Sequence, residues 1–391
     1  MTSVRIAERL GEDFLAQALH RAFRHVPAAI DPSGLLTWDD LNHILAGHRL
    51  DPPRLRLSQD GETLPQRSYC EPVTTRRHTV WHRLHPALLH ARLAEGASLA
   101  LDQADELHRP VAALAEECEQ LFRTRFQANA YASWTATEGF GTHWDDHDVL
   151  VVQLEGAKHW KIYGPTRPHP LYRDTTEPQA PPADPIADLV LQPGDLLYLP
   201  RGWWHAVTAD QGVCSLHLTY GFQTHTPSDL LTFVSDQLLG HAEFRADLPL
   251  LAGREAQAAF VTRIGRLVRE QLADPALLTR YAESMDGRDT GRMTPSLPHL
   301  TAVPADPDIR VRLTTARALL TTTEDGVHLA AAGHSYEFAP AAGPVLARLV
   351  SGGEHRVGDL ARAAGITPAE TADLVQVLVD GQAATLTRAT R

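Results

Sequence analysis

The sequence predicts an α+β protein: a small antiparallel β-barrel or jelly roll, then a helical segment, then a terminal domain with a winged-helix pattern. Three observations predict it. Between residues 126 and 221, short alternating or apolar runs recur at close intervals, punctuated by Gly, Pro and Asp turns, which is how small all-β closures read. From Thr226 onward the hydrophobic period changes to that of helices. Beyond the proline-containing stretches at 293–298 and 304–307, strand and helix signals alternate again.

Length and composition bound the answer. At 391 residues with 43% hydrophobic content, the chain suffices for two or three domains with real cores. The expected boundaries are 1–225 for the barrel domain, with its core at 126–221, then 226–300 for the helical segment and 305–391 for the last domain. Three cysteines, Cys70, Cys118 and Cys214, form an odd set without close pairing, so neither a disulfide framework nor a thiolate zinc site is expected. The N-terminus lacks a basic-then-apolar signal, and no apolar run approaches the roughly 18 residues needed to span a bilayer. A cytoplasmic protein without a membrane partner is therefore expected. A formal charge of −12 argues against nonspecific nucleic-acid binding and favours a basic partner.

The elements follow in order. Residues 1–125 mix helical stretches (Asp13 to Arg24, a start at Thr37-Trp38-Asp39-Asp40, Pro86 to Leu93, Val111 to Phe122) with extended ones such as Ala97 to Leu101. Phe126 to Trp134 alternates as a strand and runs into the breaker-rich Thr137-Glu138-Gly139-Phe140-Gly141. Val149 to Leu154 and Lys158 to Tyr163, around a turn at Glu155-Gly156-Ala157, read as a hairpin. A Pro193-Gly194-Asp195 turn precedes a short strand ending at Pro200, and Val213 to Gly221 supplies another. Thr226-Pro227-Ser228-Asp229 opens a helix to about Leu239, followed by one from Arg254 to Ala273. In 309–391, two strands flank an Asp325-Gly326 turn. A helix at Ala341 to Leu349, a helix-turn-helix-like pair and a closing strand complete the pattern. The second helix of that pair, Pro368 to Asp380, carries Glu370, Asp373 and Asp380 and no Lys or Arg. It therefore points to an interaction or structural role more than to DNA.

The chemistry sits in Gly141-Thr142-His143-Trp144-Asp145, answered by Pro200-Arg201-Gly202-Trp203-Trp204-His205. On a strand, His143 and Asp145 project to one side about 6–7 Å apart and can pinch a cation, with His205 arriving from a second strand. Two imidazoles and a carboxylate fill one face of an octahedral metal and leave adjacent positions open, the arrangement of non-haem Fe(II) oxygenases; a structural zinc site would close with four protein ligands. His147 shares the parity of His143 and Asp145. It is either a third ligand in place of His205, a residue bordering a substrate pocket, or a packed histidine. Trp144 and Trp204 pose a similar choice between core packing and contact with a bound peptide, as does Trp203.

The run from Asn129 to Gly221 resembles the JmjC-type cupin-fold oxygenases, in particular their ribosomal-oxygenase branch. The likeness is carried by Gly139-Phe140-Gly141-Thr142-His143-Trp144-Asp145-Asp146-His147-Asp148, by Val152-Gln153-Leu154-Glu155-Gly156-Ala157-Lys158-His159-Trp160-Lys161, and by Pro200 to His205. It implies a double-stranded β-helix with Fe(II) held by His143, Asp145 and His205. It also implies 2-oxoglutarate as cosubstrate, its far carboxylate on Lys158 with Asn129 and Tyr131 lining the pocket, and dioxygen as oxidant. A lysine offers a dicarboxylate a point charge with three donors; taken without the resemblance, Lys158 reads as a solvated turn residue. Lys161, three along, is expected on the other face. The helical segment serves dimerisation in such enzymes, and the activity implied is hydroxylation of a side chain in a protein or peptide. Three alternatives stay open: the same chemistry on a peptide natural product or small molecule, N-methyl demethylation, and a non-catalytic metal-binding cupin.

Overall fold

The strands between 126 and 222 assemble as two antiparallel sheets whose inner faces share one apolar layer. The computed structural model describes residues 6–74, 76, 80–171, 180–209 and 213–387. The chain divides into two units, Met1–Leu121 with Arg125–Gln223, and Phe122–Thr124 with Thr224–Arg391.

In the first unit the strands are β1 (Arg24–Val26), β2 (Leu55–Gln59), β3 (Glu62–Thr63), β4 (Cys70–Thr74), β5 (Val80–Leu84), β6 (Ser98–Leu101), β7 (Phe126–Ser133), β8 (Asp148–Gly156), β9 (Lys158–Pro165), β10 (Ala187–Leu191), β11 (Leu196–Leu199), β12 (Trp203–Ala209) and β13 (Ser215–Phe222). The helices are α1 (Ile6–Leu10), α2 (Phe14–Gln17), α3 (Trp38–Gly47), α4 (Pro86–Ala94) and α5 (Arg109–Phe122). The large sheet runs β1-β11-β8-β13-β7-β6-β2-β3 and the small one β10-β9-β12. Val149, Val151, Leu197 and Leu199 of the large sheet pack against Trp160, Ile162 and Leu191 of the small one, all nearly inaccessible to solvent. Period-2 alternation aims these residues inward, and their burial is the main driving force holding the sheets together.

The structure corrects three local expectations. β8 and β9 are not a hairpin: β8 pairs with β11 and β13, and β9 with β10 and β12. Their connection is a corner that carries the chain from one sheet to the other. Gly156 makes it at φ +66, where a Cβ would stand 1.6 Å from the Cys214 carbonyl oxygen, so only glycine fits. The segment carrying His143 and Asp145 is likewise no strand; between β7 and β8 it is irregular, with a single bridge from His143 to His205. The expected helix from Asp13 to Arg24 is also cut short. After Gln17 the chain turns, His20 takes φ 59 and donates its N–H to the Tyr198 hydroxyl at 2.8 Å, and Arg24–Val26 joins the sheet edge beside β11. Long-range pairing outweighs local helix propensity there. The expected α3 start stands, with Thr37 and Asp40 forming a capping box.

The second unit opens with α6 (Pro227–Leu238), α7 (Ala242–Arg245), α8 (Arg254–Leu272) and α9 (Leu277–Arg288). Thr226 caps α6 through a box with Asp229, as its sequence signature implies. Phe233, Val234 and Leu238 pack with Leu267, Leu277 and Tyr281. α9 was not anticipated. Then follow β14 (Arg310–Leu313), β15 (Leu319–Thr322), β16 (Val327–Ala331), β17 (His334–Phe338), α10 (Gly343–Val350), β18 (His355–Arg356), α11 (Val357–Ala364), α12 (Pro368–Asp380) and β19 (Ala384–Thr387). The sheets are β15-β16-β17 and β18-β14-β19. α11 ends on Gly365 at φ 67, and Thr367 starts α12 with a capping box to Glu370. Among the described residues no helix is long and apolar enough to cross a membrane.

The corner glycine yields a direct test. Gly156→Ala combines a left-handed backbone with a backbone clash, so the variant should lose about 3 kcal/mol or more of unfolding free energy, measured by urea denaturation.

Candidate metal centre

His143 and His205 exchange two backbone hydrogen bonds, at 3.0 Å and 2.8 Å, and Gly202 donates its N–H to the Asp145 carbonyl at 2.7 Å. These three bonds bring the segment before β8 against the start of β12. Ligand atoms of His143, Asp145 and His205 then lie within 4.8 Å of one another, the one such group of three His, Cys, Asp or Glu among the described residues. His205 is buried and its Nε2 lies 3.6 Å from Asp145 Oδ2. Each imidazole is oriented by its own backbone: Nδ1 of His143 is 2.8 Å from the Gly141 carbonyl, and Nδ1 of His205 is 3.0 Å from the Trp203 carbonyl. A carbonyl only accepts, so Nδ1 carries the proton in both rings and Nε2 presents a lone pair. Such tethering is what an outer shell supplies to metal-ligating histidines. The donor set fits a divalent metal with an open face, and places no fourth protein ligand.

A buried carboxylate fixes the two loops further. Asp148, 2% exposed, accepts from the Arg201 backbone N–H at 2.7 Å and the Tyr198 hydroxyl at 3.2 Å, and its Oδ2 lies 2.6 Å from His20 Nδ1. It therefore ties the end of the His143–Asp145 segment to the loop that precedes His205.

Inside the sandwich lies a polar patch. Lys158, first residue of β9, is 4% exposed and donates from Nζ to Ser133 Oγ on β7 at 2.6 Å. Burial pushes its pKa down to about 7. His217, on β13 opposite Tyr131 and Gln153, is also 4% exposed. Burial, then the neighbouring Lys158 charge, holds it well below the usual histidine range, so it stays neutral. Its ring stacks on Tyr131 with centroids 5.1 Å apart, and Trp160 stacks on His205 at 5.5 Å. Burial also pushes the Tyr131 phenol up to about 12, leaving it a neutral donor. Asn129 Oδ1 accepts from the Gln103 N–H at 3.0 Å and Gln127 Nε2 at 3.1 Å. His217 Nδ1, Trp160 Nε1 and Gln153 Oε1 are buried without a hydrogen-bond partner among the described residues. Buried polar atoms are normally satisfied, so the two nitrogens, His217 Nδ1 and Trp160 Nε1, beside a lysine fit a polar, anionic ligand, while Gln153 Oε1 can take only a donor.

The predicted site residues are thus largely gathered. Lys161 is on the opposite face from Lys158, as expected. Trp144 and Trp204 are 8% and 9% exposed, in keeping with packing. His147 stands apart from the triad: its ring lies over Gly221, with Nδ1 3.2 Å from Asp146 Oδ1, and about a third of it is exposed. Sequence reasoning missed His217, Ser133 and Asp148. The signal was present in Ser215-Leu216-His217-Leu218-Thr219, where polar residues occupy every second position of a strand buried on both faces.

A family model described as the JmjC domain matches residues 105–230. The chain carries a JmjC domain. That JmjC domain contains the triad, the polar patch and strands β7 to β13. Curated relatives include ribosomal oxygenase 1 of Homo sapiens, 31% identical over 227 residues, covering 55% of this chain and 34% of that protein. The bifunctional lysine-specific demethylase and histidyl-hydroxylase NO66 of Drosophila persimilis is 35% identical over 137 residues, 35% of this chain and 20% of that one. The chain spans well under half the length of these relatives. Among solved structures, Escherichia coli ribosomal oxygenase YcfD matches with a TM-score of 0.60 over 96% of this chain and 98% of that chain at 19% identity. A second structure of it, in complex with cobalt and 2-oxoglutarate, gives 0.59. At that identity the likeness establishes the cupin-like JmjC fold.

The geometry predicts that His143→Ala weakens Co(II) binding by more than about a hundredfold, beyond what loss of an outer-shell partner costs. Titration followed by the visible Co(II) absorption checks it; unchanged affinity would remove His143 from the ligand set.

Proposed function

We propose that the chain is an Fe(II)- and 2-oxoglutarate-dependent oxygenase that hydroxylates an amino-acid side chain in a protein or peptide. The observation that carries this reading is the triad of His143, Asp145 and His205 beside a buried polar patch whose lysine has no counter-ion among the described residues. Fe(II) bound by the triad would couple oxidation of 2-oxoglutarate by dioxygen to hydroxylation of a substrate C–H bond. The chain's own part is binding and orientation. Lys158 receives the far carboxylate, and the Ser133 hydroxyl and Tyr131 phenol stand as neutral donors beside it. Asn129 braces Tyr131. The stacked Trp160 and the neutral His217 keep the pocket dry and without a competing cation. His147, partly exposed at the edge of the metal segment, borders the substrate, while Trp144 and Trp204 support that wall from within.

The names of the relatives support a protein substrate, and the YcfD complex with cobalt and 2-oxoglutarate supports the cofactor pair. The NO66 relative is named both demethylase and hydroxylase, so demethylation is the second reading. We further propose that residues 305–391 form a winged-helix-like interaction domain, with α11 and α12 as its helix pair. The helical segment would dimerise through the exposed Leu248, Leu250, Leu251 and Val261.

The test is succinate formation by anaerobically iron-loaded protein exposed to air with basic peptides. The expected outcome is turnover that requires His143, with a peptide mass gain of one oxygen; loss of a methylene would instead establish demethylation. No turnover despite bound iron and 2-oxoglutarate would favour a binding protein. Lys158→Met should weaken 2-oxoglutarate binding by about 10–100-fold, the scale of a charge-assisted hydrogen bond. It should leave the melting temperature unchanged or higher, because it removes a buried charge. A pH dependence follows as well. With Lys158 at about 7 in the ligand-free protein, binding the dicarboxylate requires proton uptake above that pH. Affinity should be level below pH ~7 and fall about tenfold per unit above it, up to the pKa of the bound state. Calorimetry in buffers of different ionisation enthalpy measures that uptake.

A further inference from the structure

The loop that precedes His205 also forms one wall of a second cleft. Its volume is about 730 Å³, and among the residues lining it are His20, Arg21, Arg167, His169, Arg201 and Trp203 together with three prolines. No Asp or Glu lines it among the described residues, although the chain as a whole carries a charge of −12. The carboxylate next to His20 and Arg201, Asp148, is 2% exposed and committed to the Tyr198 hydroxyl and the Arg201 backbone N–H. The Arg21 guanidinium bonds the carbonyl oxygens of Leu15 and Ala16, and the Arg201 side chain meets no acid among the described residues. Guanidinium groups stay charged at any working pH and present a planar fork matched to a carboxylate. Arg21 and Arg201, lining a concave wall with no acid among its described residues, concentrate a positive field there.

We propose that this cleft binds an acidic side chain of a peptide partner, anchoring that partner against the loop that precedes His205. A peptide fits better than a nucleic acid. A single carboxylate experiences the local arginines, whereas a polyanion approaching over a larger footprint meets the net charge of −12. Trp203 and the prolines add the apolar walls that a peptide backbone packs on. The cleft is also joined to the metal centre by backbone bonds: Gly202 N–H holds the Asp145 carbonyl, and the Trp203 carbonyl holds His205 Nδ1. The inference rests on the oxygenase reading only in taking the partner to be a substrate.

The experiment is fluorescence anisotropy of labelled tetraglutamate, tetraglutamine and a uridine oligonucleotide of equal charge, with the full chain free of metal and 2-oxoglutarate. Tetraglutamate should bind and tetraglutamine should not. The double variant Arg21→Gln/Arg201→Gln should weaken tetraglutamate at least about tenfold, as loss of a charge-assisted contact does. Arg201→Lys should retain part of the affinity, and it alters no backbone N–H. Either single Gln variant serves if the double one does not fold. Absence of tetraglutamate binding, equal binding by the Gln variants, or tighter binding of the oligonucleotide would each overturn the proposal. Because no metal is present, the two readings fail separately. An inactive protein that binds tetraglutamate through Arg201 sinks the oxygenase alone; an active one that does not bind it sinks the anchor alone.

Discussion

Two backbone hydrogen bonds between His143 and His205 join stretches of chain that belong to different parts of the sandwich. The His143 stretch is not a regular strand where they meet; His205 lies in β12, laddered to β9 just after a bulge, but a single bridge is all that sets its register against His143. What holds it is a set of local ties: Gly202 to the Asp145 carbonyl, Asp148 to the Arg201 N–H, and each Nδ1 to a carbonyl two residues back. Because each of these bonds ends on a main-chain atom, and the only side chains they use are those of His143, His205 and Asp148, they are insensitive to which other side chains decorate the loops. The ligand geometry is built into the backbone, leaving the rim free to vary. Sites on such scaffolds commonly keep their chemistry while specificity changes around them.

The second constraint is the polarity of the interior. A sandwich of this size would be most stable with aliphatic residues on both inner faces, and one end is built that way, with Val149, Val151, Ile162 and Leu199. The other end holds Lys158, Ser133, His217, Gln153 and Tyr131. Burying a lysine with only a hydroxyl for company is costly, and the depressed pKa of Lys158 and the neutral His217 record that cost. Stability is thus conceded where a ligand is to be received, and a bound dianion would recover part of it.

Much of this could be read from the chain before any coordinates. Residue types and spacing pointed to the donor set, because metal chemistry accepts few of them, although His147 stayed open beside His205 until the resemblance was added, and capping signatures marked α3 and α6, because they are local. What could not be read was pairing. Val149 to Leu154 and Lys158 to Tyr163 look like two arms of a hairpin, and only their partners β11, β13, β10 and β12 reveal that they lie in opposite sheets. The strand assumed for His143 and Asp145 failed for a related reason: alternation places two side chains on one face, but so does an irregular loop pinned at a single bridge. His217 was passed over because a histidine inside an apolar strand reads as core until its unpartnered nitrogen is seen.

The seat of His147 on Gly221 ties two distant positions together. A Cβ at 221 would stand 2.8 Å from the His147 ring, so the two sites share one small volume. Where homologues replace Gly221 with a larger residue, position 147 should shrink or turn outward, and where 221 stays glycine a ring at 147 becomes admissible. The pair should therefore vary together across the family, so that a change at the edge of the metal segment is recorded some seventy residues away, on a strand that bears no ligand.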